Sequence, residues 1–212
     1  MTKTVAVIAA DGRTGRAFVT AALDSGMIVR AGYHSSSEAL PSDKHLTAVQ
    51  CDATSESDVR TLLNGADVVV SLIGHVKNSP ASVQTDSIKT IAKVMKEYGL
   101  RRIISLTGTG VRLTGDTPSF IDKVLNICIR LVDPHRINDG VEHVKFLMSS
   151  NLNWTIIRVL KLTNGTSQGT VKFSLHGPAE LLTSRVRVAR GIVQIINNDL
   201  YNQQAPIVQG EL

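Results

Sequence analysis

Seven residues near the amino terminus, Ala9-Ala10-Asp11-Gly12-Arg13-Thr14-Gly15, combine types and spacing suited to holding a pyrophosphate. They follow a short apolar run, Thr4–Ala9, and precede a segment in which Ala17, Phe18, Ala21 and Ala22 recur at helical spacing before Gly26. A turn between strand and helix aims the helix's free amides at whatever lies in front of it, and such amides favour anions. Gly12 lacks the Cβ that would hold the backbone off a phosphate, and Gly15 lets the helix pack closely on the strand. These features predict a dinucleotide turn. Its first position, usually glycine, is Ala9; if Ala9 crowds the turn, cofactor affinity falls.

The next informative position lies about 20 residues on, where an NAD-preferring site places an acid on the ribose hydroxyls. Here the chain reads Tyr33-His34-Ser35-Ser36-Ser37. With no carboxylate in that segment, hydroxyls at hand and Arg13 in the turn, NADP is expected over NAD. Further candidates sit past later apolar runs: His75 after Gly74, and Ser105, Thr107 and Thr109, of which Thr107 and Thr109 are the expected hydroxyls for orienting cofactor or substrate. Their alternative role is bonding the backbone of a turn.

A Tyr with a Lys four residues on serves many dehydrogenases as general acid and its activating cation. The segment where that pair is sought reads Arg136-Ile137-Asn138-Asp139-Gly140, and Tyr33, Tyr98 and Tyr201 have Ser37, Arg102 and Ala205 at that spacing. The Tyr-Lys route is therefore disfavoured. Cys51 and Cys128 show neither metal-ligand nor redox spacing, so no metal site is expected.

The elements that must position these residues alternate. Strands are expected at Thr4–Ala9, Met27–Tyr33, Leu46–Gln50, Asp67–Ile73 and Arg102–Leu106, with helices at Arg16–Ser25, Ser57–Leu63 (opened by Ser55 or Ser57) and Ser82–Tyr98. Alternation of this kind predicts an α/β fold, a Rossmann-like doubly wound parallel sheet with helices on both faces. Beyond Thr107 the pattern loosens: a loop at Val111–Pro118, an apolar helix at Phe120–Val132 that packs in the core or covers the acceptor, a break at Asp133-Pro134, and a helix at Val141–Ser149. Strands at Trp154–Leu160 and Thr170–Leu175, a helix at Ser184–Asn197 with Ser184 as N-cap, and a last edge strand at Ala205–Val208 complete the reading. We expect one domain over 1–212, with a small substrate-side excursion around 110–185.

The 212 residues are 42% hydrophobic and 19% charged, which excludes general disorder. A net charge of +5 invites nucleic acid, but the basic residues are scattered and aromatics are 4% of the chain, so no base-stacking platform is expected. No apolar run is long enough for a membrane span. The expectation is a cytoplasmic monomer or homodimer with a small-molecule partner, binding neither nucleic acid nor membrane.

With Gly12-Arg13-Thr14-Gly15, Cys51-Asp52, Ser71-Leu72-Ile73-Gly74 and, most specifically, Asn153-Trp154-Thr155-Ile156-Ile157-Arg158 followed by Leu162-Thr163-Asn164-Gly165, the chain resembles the atypical short-chain dehydrogenases/reductases. It is most similar to their NAD(P)H-binding, NmrA-like branch, which includes biliverdin reductase B and bacterial flavin reductase-like proteins. Ser184-Arg185 also matches, although Arg187 stands where that family usually has Asp. The resemblance implies that Ala10, Gly12, Arg13, Thr14 and Gly15 hold the pyrophosphate. It places His34 and Ser35 at the 2′-phosphate end, Asp52 and Ala53 at the adenine, and Gly74 at the nicotinamide-side ribose. The function implied is an NADPH-dependent reductase passing hydride to a flavin, quinone or similar conjugated acceptor. The alternative is a non-catalytic NADP(H)-binding redox sensor that regulates a partner.

Overall fold

The computed structural model describes residues 2–76, 78–165, 169 and 171–209. Its first half follows the expected alternation: β1 (Thr4–Ile8), α1 (Arg13–Asp24), β2 (Ile28–Tyr33), β3 (Leu46–Gln50), α2 (Glu56–Leu63), β4 (Val68–Ser71), α3 (Val83–Glu97) and β5 (Arg102–Gly108). The second half adds α4 (Phe120–Val132), α5 (Pro134–Ser149), β6 (Asn153–Val159), β7 (Leu162–Thr163), β8 (Lys172–Ser174), β9 (Thr183–Ser184), α6 (Arg185–Asn197) and β10 (Ile207–Gln209). Eight strands form one sheet in the order β3-β2-β1-β4-β5-β6-β10-β8, parallel except for β8, which runs antiparallel to β10. The doubly wound α/β architecture is as the alternation implies.

The central strands are buried on both faces, which is why β1, β4 and β5 are apolar without alternation. One face packs Val5, Val7, Val29, Val70 and Ile104 against α1 and α6 through Phe18, Val19, Val188 and Ile192. The other packs Ala6, Ile8, Val69 and Ile103 against α2, α3 and α5 through Leu62, Ile88, Ile91 and Leu147. Strand order reverses between β1 and β4: the chain moves outward through β2 and β3 and returns to β1's other side. In open α/β sheets this switch point is where a crevice opens at the strands' carboxyl ends.

Four expectations are corrected. Ala205–Val208 is not an edge: β10 lies inside the sheet between β6 and β8, its outer side covered by a strand from the loop region. The helix expected from Val141 begins seven residues earlier, because Asp133 caps the amide of Arg136 and Pro134 occupies the first turn, where no amide hydrogen is needed. Ser184 stands at the N-cap of α6, but its hydroxyl donates to the Gly165 carbonyl and caps nothing. The expected strand at Thr170–Leu175 is observed at Lys172–Ser174, and Thr170 lies outside the described residues.

Arg158 on β6 accounts physically for part of the distinctive Trp154–Arg158 string. Its guanidinium, 1% exposed, donates to the carbonyls of Ala205, Val111 and Leu175 and pairs with Asp116, Nη2 to Oδ1 at 3.0 Å. One buried cation thus ties the loop after β5 and the turn after β8 to the sheet. Paired and fully bonded, it avoids the penalty of an isolated buried charge.

Candidate functional site

The turn after β1 is built around an unusual alanine. Ala9 has φ +59°, in the left-handed region where a Cβ is disfavoured. This conformation turns its carbonyl toward the helix, where it accepts the Gly12 amide at 3.1 Å. Close packing follows: a Cβ on Gly15 would lie 2.1 Å from that oxygen and 2.7 Å from Ala10 Cα. Gly15 is therefore fixed by sterics alone. Gly12 is the extended N-cap of α1, and no side chain caps the helix, so its leading amides face the crevice.

Cations gather at this helix start. Arg13 and Arg16 are exposed on its first turns and, with Ala17, Thr20 and Asn164, line a cleft of about 370 Å³. Arg185 donates to Asn164 Oδ1 at 2.6 Å, and burial together with the neighbouring Arg13 guanidinium disfavours charge on it. Two like charges near a helix N-terminus are an arrangement that favours an anion.

At the end of β2 the absence of a carboxylate read from the sequence is corrected. Asp11 reaches across from the first turn, and its Oδ2 accepts the amides of His34 and Ser35 at 3.2 and 3.0 Å. The carboxylate arrives from 23 residues upstream, so the local segment Tyr33–Ser37 held no trace of it. Beyond β3, Asp52 accepts the amide and hydroxyl of Thr54 at 2.9 and 2.7 Å, bonds that hold its carboxyl below the usual range. Its charge shapes the turn that carries Ala53. Burial, with Asp58 and Asp52 nearby, pushes the adjacent Cys51 thiol up to about 12, so it stays protonated and is no nucleophile.

Gly74, past β4, has open space where a Cβ would stand. Thr107 is buried on β5, two residues beyond Ser105, which pairs in register with Ser71 of β4. A Cβ on Gly140 would meet Thr107 Oγ1 at 2.9 Å and Val111 at 3.0 Å, so β5 and α5 approach too closely there for a lysine. Thr109 is turned elsewhere: its hydroxyl donates to Asp122 Oδ1 at 2.9 Å and accepts from Asn126 Nδ2. Asp122, the one buried residue of α4, also binds Arg112. This polar knot anchors α4 and leaves Phe120, Leu131 and Val132 exposed at 80, 79 and 86%. Core packing of that apolar stripe is thereby corrected.

Sequence reasoning gave Asp139 no role and His75 only a place beside Gly74. The structure brings them together, His75 Nε2 to Asp139 Oδ2 at 2.8 Å, across 64 positions of sequence. Asp139 also accepts the amides of Gln84 and Thr85 at the start of α3. His75 lines a cleft of about 390 Å³ with Val76, Ser79, Asp133, His135 and Arg136. Among the described residues no cluster of three metal-ligating side chains occurs, and no helix is long and apolar enough to cross a membrane.

The NAD(P)H-binding family profile matches residues 9–199. No curated protein matches the chain. Among solved structures, a Veillonella parvula short-chain dehydrogenase/reductase in complex with NADP superposes with a TM-score of 0.82 at 17% identity, covering 99% of this chain and 95% of that one. A proposed NADH-flavin reductase from Streptococcus pneumoniae gives 0.77 at 19%, covering 99% and 100%. A Lactococcus lactis oxidoreductase gives 0.80 at 16%, covering 98% and 91%. At these identities the likeness is one of fold.

Proposed function

The chain belongs to the NAD(P)H-binding family, and on that premise we propose that it is an NADPH-dependent reductase passing hydride to a flavin, quinone or similar conjugated small molecule. One observation carries this reading: an uncapped helix start with two crowded guanidiniums stands at the same sheet edge as a cleft beside Gly74. Ala10, Gly12, Arg13, Thr14 and Gly15 hold the pyrophosphate, with Arg185 adding charge. Asp52 and Ala53 border the adenine, Gly74 the ribose next to the nicotinamide, and Thr107 orients the reacting groups. Thr109 acts indirectly, by anchoring α4. When bound, the cofactor supplies the two-electron hydride, and the protein's task is to position an acceptor and exclude water. Arg136 and Gly140 stand where a Tyr-Lys pair is sought, which supports an acceptor needing no alcohol deprotonation. The NADP-complexed and flavin-reductase relatives agree with this reading.

NADPH is the preferred form in this proposal, through Arg13, His34 and the Ser35 hydroxyl. The Asp11 carboxylate at the His34 and Ser35 amides favours a second reading, NADH, in which that acid takes the ribose hydroxyls. Asp11→Asn separates the two: relief of one like charge near a 2′-phosphate tightens NADPH by about 1 kcal/mol, roughly fivefold, with NADH little changed. Loss of NADH binding alone in that variant favours the second reading. The bare apolar face of α4 is a feature suited to a sensor that binds a partner. Following reduced-nicotinamide absorbance with FMN and with menadione tests the reductase directly: acceptor-dependent oxidation supports it, and tight binding without turnover moves the weight to the sensor.

A further inference from the structure

The Asp139 carboxylate, 1% exposed, is already satisfied as a cap of α3, taking the Gln84 and Thr85 amides and the Thr85 hydroxyl. His75 is not needed for that task, yet its imidazole, 8% exposed, is held against the same carboxylate. A carboxylate only accepts, so Nε2 carries the hydrogen of this bond and Nδ1 is left as the position for proton exchange. A buried acid that fixes the tautomer and direction of an imidazole is the general arrangement of an oriented acid-base group. The imidazole lines the 390 Å³ cleft, a volume in the range of small-molecule sites. Thr107 approaches the same turn of α5 from the sheet side at Gly140.

Resting on the reductase reading above, we propose that His75 is the proton donor of the reaction, positioned by Asp139, and that the acceptor is a quinone or conjugated carbonyl that takes a proton on oxygen. Hydride arrival adds two electrons to the acceptor and develops negative charge on its oxygen. The Nδ1–H bond of the imidazolium then breaks, an O–H bond forms, and the neutral imidazole regains a proton from water in the cleft. The acceptor gains one hydride and one proton in all. Several charged or titratable groups face this imidazole: Asp139 and Arg136 of α5, the latter donating to the His75 carbonyl at 3.0 Å, and Asp133 and His135 along the cleft. His143 lies one helical turn beyond Asp139.

The test uses His75→Gln and Asp139→Asn, with menadione as acceptor. His75→Gln is expected to bind NADPH as the wild type does while kcat falls about 100-fold, and the decline of kcat toward alkaline pH that the proposal expects of the wild type is absent from the variant. Asp139→Asn leaves one oxygen where the Gln84 and Thr85 amides bond two different ones, so its Tm is compared with that of the wild type; at a retained fold it also loses that pH profile. Independently of turnover, imidazole ¹⁵N resonances report a His75 protonated at Nε2 whose Nδ1 signal moves when menadione is added. An unchanged rate and pH profile in His75→Gln, or an Nδ1 signal that menadione does not move, overturns the assignment alone. A wild-type protein that binds NADPH and reduces no acceptor overturns the reductase reading and this assignment with it.

Discussion

Replacing Ala9 with glycine is expected to stabilise the protein, although the change removes a half-buried methyl group. Ala9 holds φ +59°, and a Cβ in the left-handed region costs about 1–2 kcal/mol. Glycine pays no such cost, but it adds about 0.4–1 kcal/mol of chain entropy to the unfolded state. The difference is a net gain of about 1 kcal/mol, which for a chain of this size raises Tm by about 2–4 °C. The turn's geometry is retained, because the Ala9 carbonyl keeps its bond from the Gly12 amide. NADPH affinity in Ala9→Gly therefore stays at or above the wild-type level. Ala9→Val supplies the opposite arm, since a branched Cβ is far less tolerant of positive φ, and it should lower Tm and weaken NADPH together. Calorimetric melting of the three proteins with and without NADPH measures both effects. A fall in Tm in Ala9→Gly would show that Ala9 is not held in the left-handed conformation, and the account of the turn would fail with it.

Acid should unfold the protein partly through His143. Burial pushes this imidazole down to about 4, against the opposing pull of Asp139, and neither ring nitrogen has a partner among the described residues. Because the folded pKa lies below the unfolded value of 6.5, unfolding takes up a proton between pH 6.5 and 4. Stability is fully present above that window and lost as pH falls through it, by about 2 kcal/mol between pH 7 and 5. His143→Leu should remove that increment in paired urea titrations at the two pH values, and equal pH dependence in both proteins would contradict it. The Asp11→Asn and His75→Gln results stated above test the cofactor end and the acceptor end of the same crevice.

Periodicity and local signals disclosed most of the frame, and tertiary pairing explains what they did not. The helix Phe120–Val132 was legible to the residue from its apolar spacing, and the structure adds that Ser119 caps the Asp122 amide. Whether that stripe faced core or solvent was not legible, because the answer lies in the Thr109–Asp122–Arg112 knot that docks its polar side. The start of α5 was written in Asp133-Pro134, a capping acid before a first-turn proline, but reads equally as a break. The interior position of β10 depends on β8 folding back beside it, a contact that leaves no mark on Ala205–Val208. At the site, Gly12 and Gly15 could be placed from spacing because their role is local. Asp11 at the end of β2 and His75 on Asp139 are long-range pairs, and neither residue type nor spacing announces them.

The central claim is that the turn from Ala9 to Gly15 holds a nicotinamide dinucleotide, and isothermal titration of NADPH and NADH into the wild type and Gly15→Ala tests it most directly. The account predicts saturable binding of NADPH, weaker binding of NADH, and loss of both in Gly15→Ala, whose Cβ would stand 2.1 Å from the Ala9 oxygen. Binding of neither nucleotide to the folded wild type, or undiminished binding to a folded Gly15→Ala protein, would contradict it.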